Sequence, residues 1–380
     1  MGAGTRVRAR GRRSGTVFTV VVSIVVALAA VPMLLLIALS GAPRTMVVAT
    51  VLAALPVVPL VACFLWLDRY EPEPRGLLAL GLLWGAFVAC FAAVVLEGVG
   101  GVVAGLTSDA SSAVLAPVVE EACKGVFLFA LLWWRRDELD GLLDGIVYAG
   151  MVGIGFAFTE NILYLAAAYN GTDGIGPGGT DALTQTFVIR CLASPFAHPL
   201  FTAFTGVGVG IAVGARSGSV RLLAPIAGYV AAVATHAIWN SSTVYGFGGF
   251  VTVYVVLMIP ALCAVGALAL WARSSERRML TSALGDAAAR GLLPATDIGW
   301  VVDLGARRRS RAFARERGGE AGERAMRDYQ QAAIELGYLH SRYLRGTPPP
   351  DFVARGQEYV ARIGSVRPTI AFPGQVVPTR

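Results

Sequence analysis

Apolar stretches long enough to cross about 30 Å of hydrocarbon as helices recur along this chain. They fall at about 16–40, 46–67, 76–97, 113–134, 142–168, 186–214, 221–243 and 249–272. With 55% hydrophobic and only 15% charged residues over 380 positions, little of the sequence suits a water-facing surface. The expected fold is therefore all-α: a polytopic membrane bundle of about eight transmembrane helices, 16–272, preceded by a basic tail, 1–15, and followed by a cytoplasmic extension, 273–380. The Arg12-Arg13 pair precedes an apolar run too long for an ordinary signal core, so that run reads as the first span.

Arginines set the expected orientation. They cluster at Arg6, Arg8, Arg10, Arg12 and Arg13, then in alternate loops at Arg69 and Arg75, Arg135 and Arg136, Arg216 and Arg221, and Arg273, Arg277 and Arg278. The intervening loops hold Arg44 or no basic residue, so the positive-inside rule puts both termini in the cytoplasm. An even number of spans agrees with that.

Against this apolar background a few polar residues are costly. Glu120, Glu121 and Lys124 lie inside the fourth stretch, where each unpaired charge costs roughly 2.5–3.5 kcal/mol. Lys124 is the one lysine in the chain. On a helix Glu120 and Lys124 are one turn apart on one face, so pairing recovers part of the cost. Three more stretches carry such groups: Glu160 and Asn161, then His198, then His236 with Asn240. A rise of about 1.5 Å per residue puts Glu120, Glu160 and His236 in the outer half of the bilayer and His198 nearer the middle. Carboxylates and imidazoles at similar depth on neighbouring helices are what water activation or metal binding requires. Each taken singly also fits a helix–helix hydrogen bond.

Other features read as structural. The cysteines, Cys63, Cys90, Cys123, Cys191 and Cys263, fall in apolar stretches without paired spacing, which argues against a disulfide framework or a CxxC zinc site. Glu97, Arg190 and Asp144 lie near span ends, within reach of interfacial water. Gly206-Val-Gly-Val-Gly210 sits in an apolar helix and reads as close packing. The net charge of +7 comes with no nucleic-acid motif. The basic run Arg307-Arg308-Arg309-Ser310-Arg311, the helical stretch Glu320 to Tyr343 and the Pro-rich disordered tail after it read as a cytoplasmic appendage held near anionic lipid headgroups.

With these residues in view, the chain resembles the PrsW family of intramembrane proteases, related to the CAAX prenyl endopeptidase/ABI group, over roughly residues 60–245. The resemblance rests on Asp68-Arg-Tyr-Glu-Pro-Glu-Pro74, Glu120-Glu121-Ala-Cys-Lys124, Asp144-Gly145 leading to Phe156-Ala-Phe-Thr-Glu160-Asn161, His198-Pro-Leu-Phe-Thr202 and His236-Ala-Ile-Trp-Asn240. It implies hydrolysis of a peptide bond in a membrane-anchored, single-span protein near the extracytoplasmic face, with an anti-sigma factor as the family's type of substrate. Glu160 stands where CAAX-type enzymes carry a histidine. Two mechanisms therefore stay open, zinc held by His198, His236 and Glu160, or Glu120 alone as base on water. In the first reading of roles Glu120 or Glu121 activates water, Lys124 holds the glutamate pair, His236 and Asn240 stabilise the oxyanion, and Glu160 and His198 position water or metal. The reading from another class is a noncatalytic scaffold or a solute transporter, although the two halves show none of the internal symmetry expected of a transporter.

Overall fold

The structure is a computed structural model that describes residues 3–70, 72–171 and 178–374, with side chains described outside 3–14 and 137. Glu71 of the Asp68–Pro74 motif, residues 172–177 of the expected outer loop at 169–185 and the last six residues lie outside the described residues. So do the side chains of the N-terminal arginine cluster. Among the described residues every regular element is helical.

The chain divides into two compact units. The larger, residues 14–68 and 72–270, holds most of the apolar sequence. Among the described residues six helices are long and apolar enough to cross a membrane: Gly15–Leu39, Pro43–Leu67, Arg75–Ala104, Leu142–Asn170, Gly179–Gly214 and Gly218–Ala289. The helix Ala116–Trp134 is of similar length but carries Glu120, Glu121 and Lys124. The last apolar run holds two of the expected spans. They part at the turn Thr243–Tyr245, where Gly246 takes φ 69°, a left-handed conformation that costs glycine least.

Leu142–Asn170 is the centre of this unit. Of its apolar window 89% is buried, against 17% for Gly15–Leu39 and 11% for Pro43–Leu67, whose Leu and Val side chains are largely exposed. Small residues let neighbours approach the central helix closely. Gly145 meets Gly206 backbone to backbone, and a Cβ on Gly153 would lie 2.7 Å from Pro199 Cα. Gly206 and Gly210 face the central helix and Gly208 faces Ala224, so the glycine-rich stretch does serve close packing.

One expected span differs. The stretch 186–214 is interrupted: a π-helical turn, Val188–Ala193, ends at Ser194 (φ −128°, ψ 40°), and a new helix runs Ala197–Gly214. Pro199 explains the restart, because a proline in the first helical turn lacks only an N–H that has no intrahelical acceptor anyway. His198 thus sits at a helix start within the apolar unit.

The smaller unit comprises residues 1–13, 69–71 and 271–380. It corrects the expectation of a Pro-rich disordered tail. After Pro348-Pro349-Pro350 the chain forms the helix Phe352–Val366, and Tyr359, Ile363, Ile370 and Phe372 join a core with Leu280, Leu284, Met326 and Tyr329. The one-turn spacing of Tyr359 and Ile363 supplies the apolar stripe that makes this helix pack. The long helix Leu304–Leu344 kinks at Gly319 (φ 59°). Asp297, fully buried, accepts from Tyr329 Oη at 2.6 Å and from Arg367 Nε at 2.5 Å. The basic run is divided in role, since Arg307 is 5% exposed and donates to the Tyr70 carbonyl at 3.1 Å. Burial holds its guanidinium down to about 10.

Candidate active site

The site is built outward from the helix Ala116–Trp134. Spacings of three and four residues bring Glu121 and Glu120 over Lys124, whose Nζ lies 2.9 Å from Glu120 Oε2 and 2.9 Å from Glu121 Oε1. The third ammonium proton points across to His198 Nδ1 at 3.0 Å, so all three donors of the lysine are used. The same Nζ lies 3.6 Å from the centroid of the Phe156 ring, a cation–π contact. Glu120, Glu121 and Lys124 are 4%, 0% and 0% exposed. Buried charges of this kind persist only when paired and hydrogen-bonded, as these are.

Two further helices complete the network. His198 Nε2 lies 2.7 Å from Glu160 Oε2, and Glu160 also takes a hydrogen bond from Arg190 on the π-helical turn. Arg190 Nε donates to Asn161 Oδ1 at 2.7 Å and its guanidinium stacks 3.9 Å from the Tyr164 ring centroid. On the other side, Glu121 accepts from Thr202 Oγ1 at 3.1 Å, and His236 Nδ1 lies 3.1 Å from Glu121 Oε1. The His236 ring stacks on Phe201 with centroids 4.5 Å apart. Its Nε2 faces Glu120 Oε2 at 4.0 Å.

Hydrogen-bond chemistry assigns the imidazole tautomers. An ammonium only donates, so His198 Nδ1 accepts and Nε2–H donates to Glu160. A carboxylate only accepts, so His236 Nδ1–H donates to Glu121 and Nε2 keeps a lone pair. In the neutral ring the nitrogen facing Glu120 is then an acceptor. In formal charge the three carboxylates of the network face two fixed cations, Lys124 and Arg190, which leaves one negative charge over. A proton or a further cation would balance it.

Glu120, Glu121, Lys124, Glu160, His198 and His236 thus meet in one network, and Asn161 joins it through Arg190. Asn240 does not. It lies one turn beyond His236 and its Nδ2 donates to the Ser112 carbonyl at 3.0 Å. Sequence reasoning passed over Arg190, Thr202, Phe156 and Phe201. A charge within the apolar run 186–214 was the available signal for Arg190, whereas nothing local distinguishes the two phenylalanines from ordinary core.

The metal-capable donors also differ from the expected set. Ligand atoms of Glu120, Glu121, His198 and His236 all lie within 4.8 Å of one another. Glu160 is not among these four, and its Oε2 is engaged by Arg190 and His198. Two carboxylates and two imidazoles match the donor chemistry that zinc takes in proteins.

The curated relatives that this chain matches bear the name Protease PrsW. The protein of Geobacillus kaustophilus (strain HTA426) is 33% identical over 158 residues, 41% of this chain and 62% of that protein. The protein of Oceanobacillus iheyensis is 33% identical over 84 residues, 22% of this chain and 33% of that protein. The chain therefore spans less than two thirds of either relative's length. No solved structure matches significantly. The family described as PrsW family intramembrane metalloprotease matches residues 73–265, about half of the chain and every helix that carries the network. On that match the chain belongs to the PrsW family.

Proposed function

We propose that this protein is an intramembrane endopeptidase that hydrolyses a peptide bond of a membrane-anchored, single-span protein near the extracytoplasmic face, with an anti-sigma factor as the class of substrate. The observation that carries the reading is the pair Glu120 Oε2 and His236 Nε2, 4.0 Å apart and both acceptors, at the centre of a buried network. One water can donate to both across such a gap. Glu120 takes the water proton as its oxygen attacks the scissile carbonyl, and returns it to the departing amine. Glu121 is the organiser: Lys124, Thr202 and His236 hold it, and it fixes the His236 ring. Arg190 and Glu160 orient His198 in the same way.

The donor set also fits a metal. Glu120, Glu121, His198 and His236 would hold it, and the chemistry supplied by zinc there is Lewis-acid polarisation of the carbonyl. In this reading the chain crosses the membrane eight times, with Ala116–Trp134 as one span, two in Gly218–Ala289, and both termini in the cytoplasm. The arginine distribution along the loops supports that orientation.

The test is cleavage of single-span substrates by the purified chain in lipid nanodiscs, with the cut mapped by mass spectrometry. Cleavage near the outer face, lost in Glu120→Gln with the helical fold retained, is the expected result. Full activity in Glu120→Gln would overturn the mechanism.

A further inference from the structure

Three of the four residues able to hold a metal already direct a donor atom at Lys124. Glu120 Oε2, Glu121 Oε1 and His198 Nδ1 lie 2.9, 2.9 and 3.0 Å from Nζ, so the ammonium sits between them. An ion bonded to the same three atoms would occupy the position of Nζ. Zinc–ligand bonds of about 2.0–2.2 Å to nitrogen and oxygen leave no room for an ammonium among them, and two cations that close repel strongly.

We infer that Lys124 is the resident cation of this cluster and that a divalent ion binds there only by displacing it. The inference rests on the metal-capable donor set described above. Displacement also costs the contact with Phe156, 3.6 Å from Nζ to the ring centroid, and strands a buried ammonium. Lys124 thereby sets how tightly the cluster takes metal, apart from any role in holding the glutamates. His236 Nε2, which Nζ does not engage, is the donor left open for an incoming ion.

Because the chain has one lysine, labelling with ζ-15N-lysine gives one side-chain signal, which reports Nζ directly. Zinc chloride is titrated into the labelled chain in nanodiscs, with His236→Ala as the control for ions bound elsewhere. The expected result is one equivalent bound at saturation, absent from His236→Ala, with the lysine signal replaced in proportion to the metal. Lys124→Met, still folded, should bind zinc at least about tenfold more tightly. No binding by the unmodified chain at saturating zinc overturns the proposal, as does binding that leaves the lysine signal in place or equal affinity in Lys124→Met. If Lys124→Met does not fold, the signal of the unmodified chain decides. Cleavage is not read here, so failure of the protease reading shows separately, as absence of substrate hydrolysis.

Discussion

Lys124 Nζ lies 3.0 Å from His198 Nδ1, between residues 74 apart in the chain. That contact fixes the imidazole tautomer, because the ammonium can only donate, and so turns Nε2–H onto Glu160. Lysine, imidazole, carboxylate and arginine then follow one another, each oriented by the next.

Replacing Lys124 by arginine should impair cleavage although charge is kept. A planar guanidinium cannot put three donors at 2.9, 2.9 and 3.0 Å in a fully buried space, and overpacking costs about 1–3 kcal/mol. A lowered unfolding temperature together with a cleavage rate reduced by about 10²-fold or more is the expected outcome. Wild-type turnover would remove any special role for the lysine.

The two glutamates should separate in their effects. Glu120→Gln keeps an acceptor for Lys124 but loses the base, so cleavage should fall by about 10²–10⁴-fold with a modest change in unfolding temperature. Glu121→Gln puts an amide donor among three donors and breaks a buried pair, so stability should fall by about 3–5 kcal/mol. Thermal unfolding alongside cleavage distinguishes them, and equal stability in both variants would count against the division of roles.

Arg190→Met should slow cleavage by about 10–100-fold, the usual range for a group that orients a metal ligand or catalytic residue. Its loss frees Glu160 to turn from His198. An unchanged kcat would show that Glu160 needs no second donor.

Gly153→Ala tests how the central helix positions His198. The new Cβ would lie 2.8 Å from the His198 carbonyl oxygen and 2.7 Å from Pro199. The helix start must shift, so cleavage should drop more than the about 1–3 kcal/mol loss of stability accounts for. A variant that is destabilised but fully active when folded would sink this reading.

Asp68, just past the helix Pro43–Leu67, gives a pH dependence. Burial pushes its carboxyl up from an ordinary 3.8 to about 7, against one hydrogen bond from the Glu73 N–H. A carboxyl with a raised folded pKa contributes stability that is full below pH about 4 and is lost as pH rises through about 7. Asp68→Asn should therefore be more stable relative to the unmodified chain at pH 8 than at pH 5. Parallel unfolding curves across that range would refute it.

Much of the site was legible because charge in an apolar run is conspicuous one residue at a time. Glu120, Glu121, Lys124, Glu160, His198 and His236 each stand out by transfer cost, and helical spacing predicts the Lys124 contact to Glu120. Arg190 was misplaced because nearness to a span end gave it a plausible partner in water. The break at Ser194 to Phe196 moved it onto Glu160 instead. The helix Phe352–Val366 was missed because the preceding prolines and the terminal arginines outweighed a short apolar stripe.

The sequence by itself determined the helical character of the chain and which residues were too polar for their surroundings, because hydropathy and charge are properties of each segment alone. Only the tertiary structure decided which nitrogen of each histidine faces which carboxylate, that Asn240 turns to the Ser112 carbonyl, and that Lys124 takes the centre of the metal-capable donors. Those outcomes depend on how closely helices approach, on glycine contacts such as Gly145 with Gly206 and on the restart of a helix at Ala197. Distances between helices are set by packing over the whole bundle, and no window of sequence contains them.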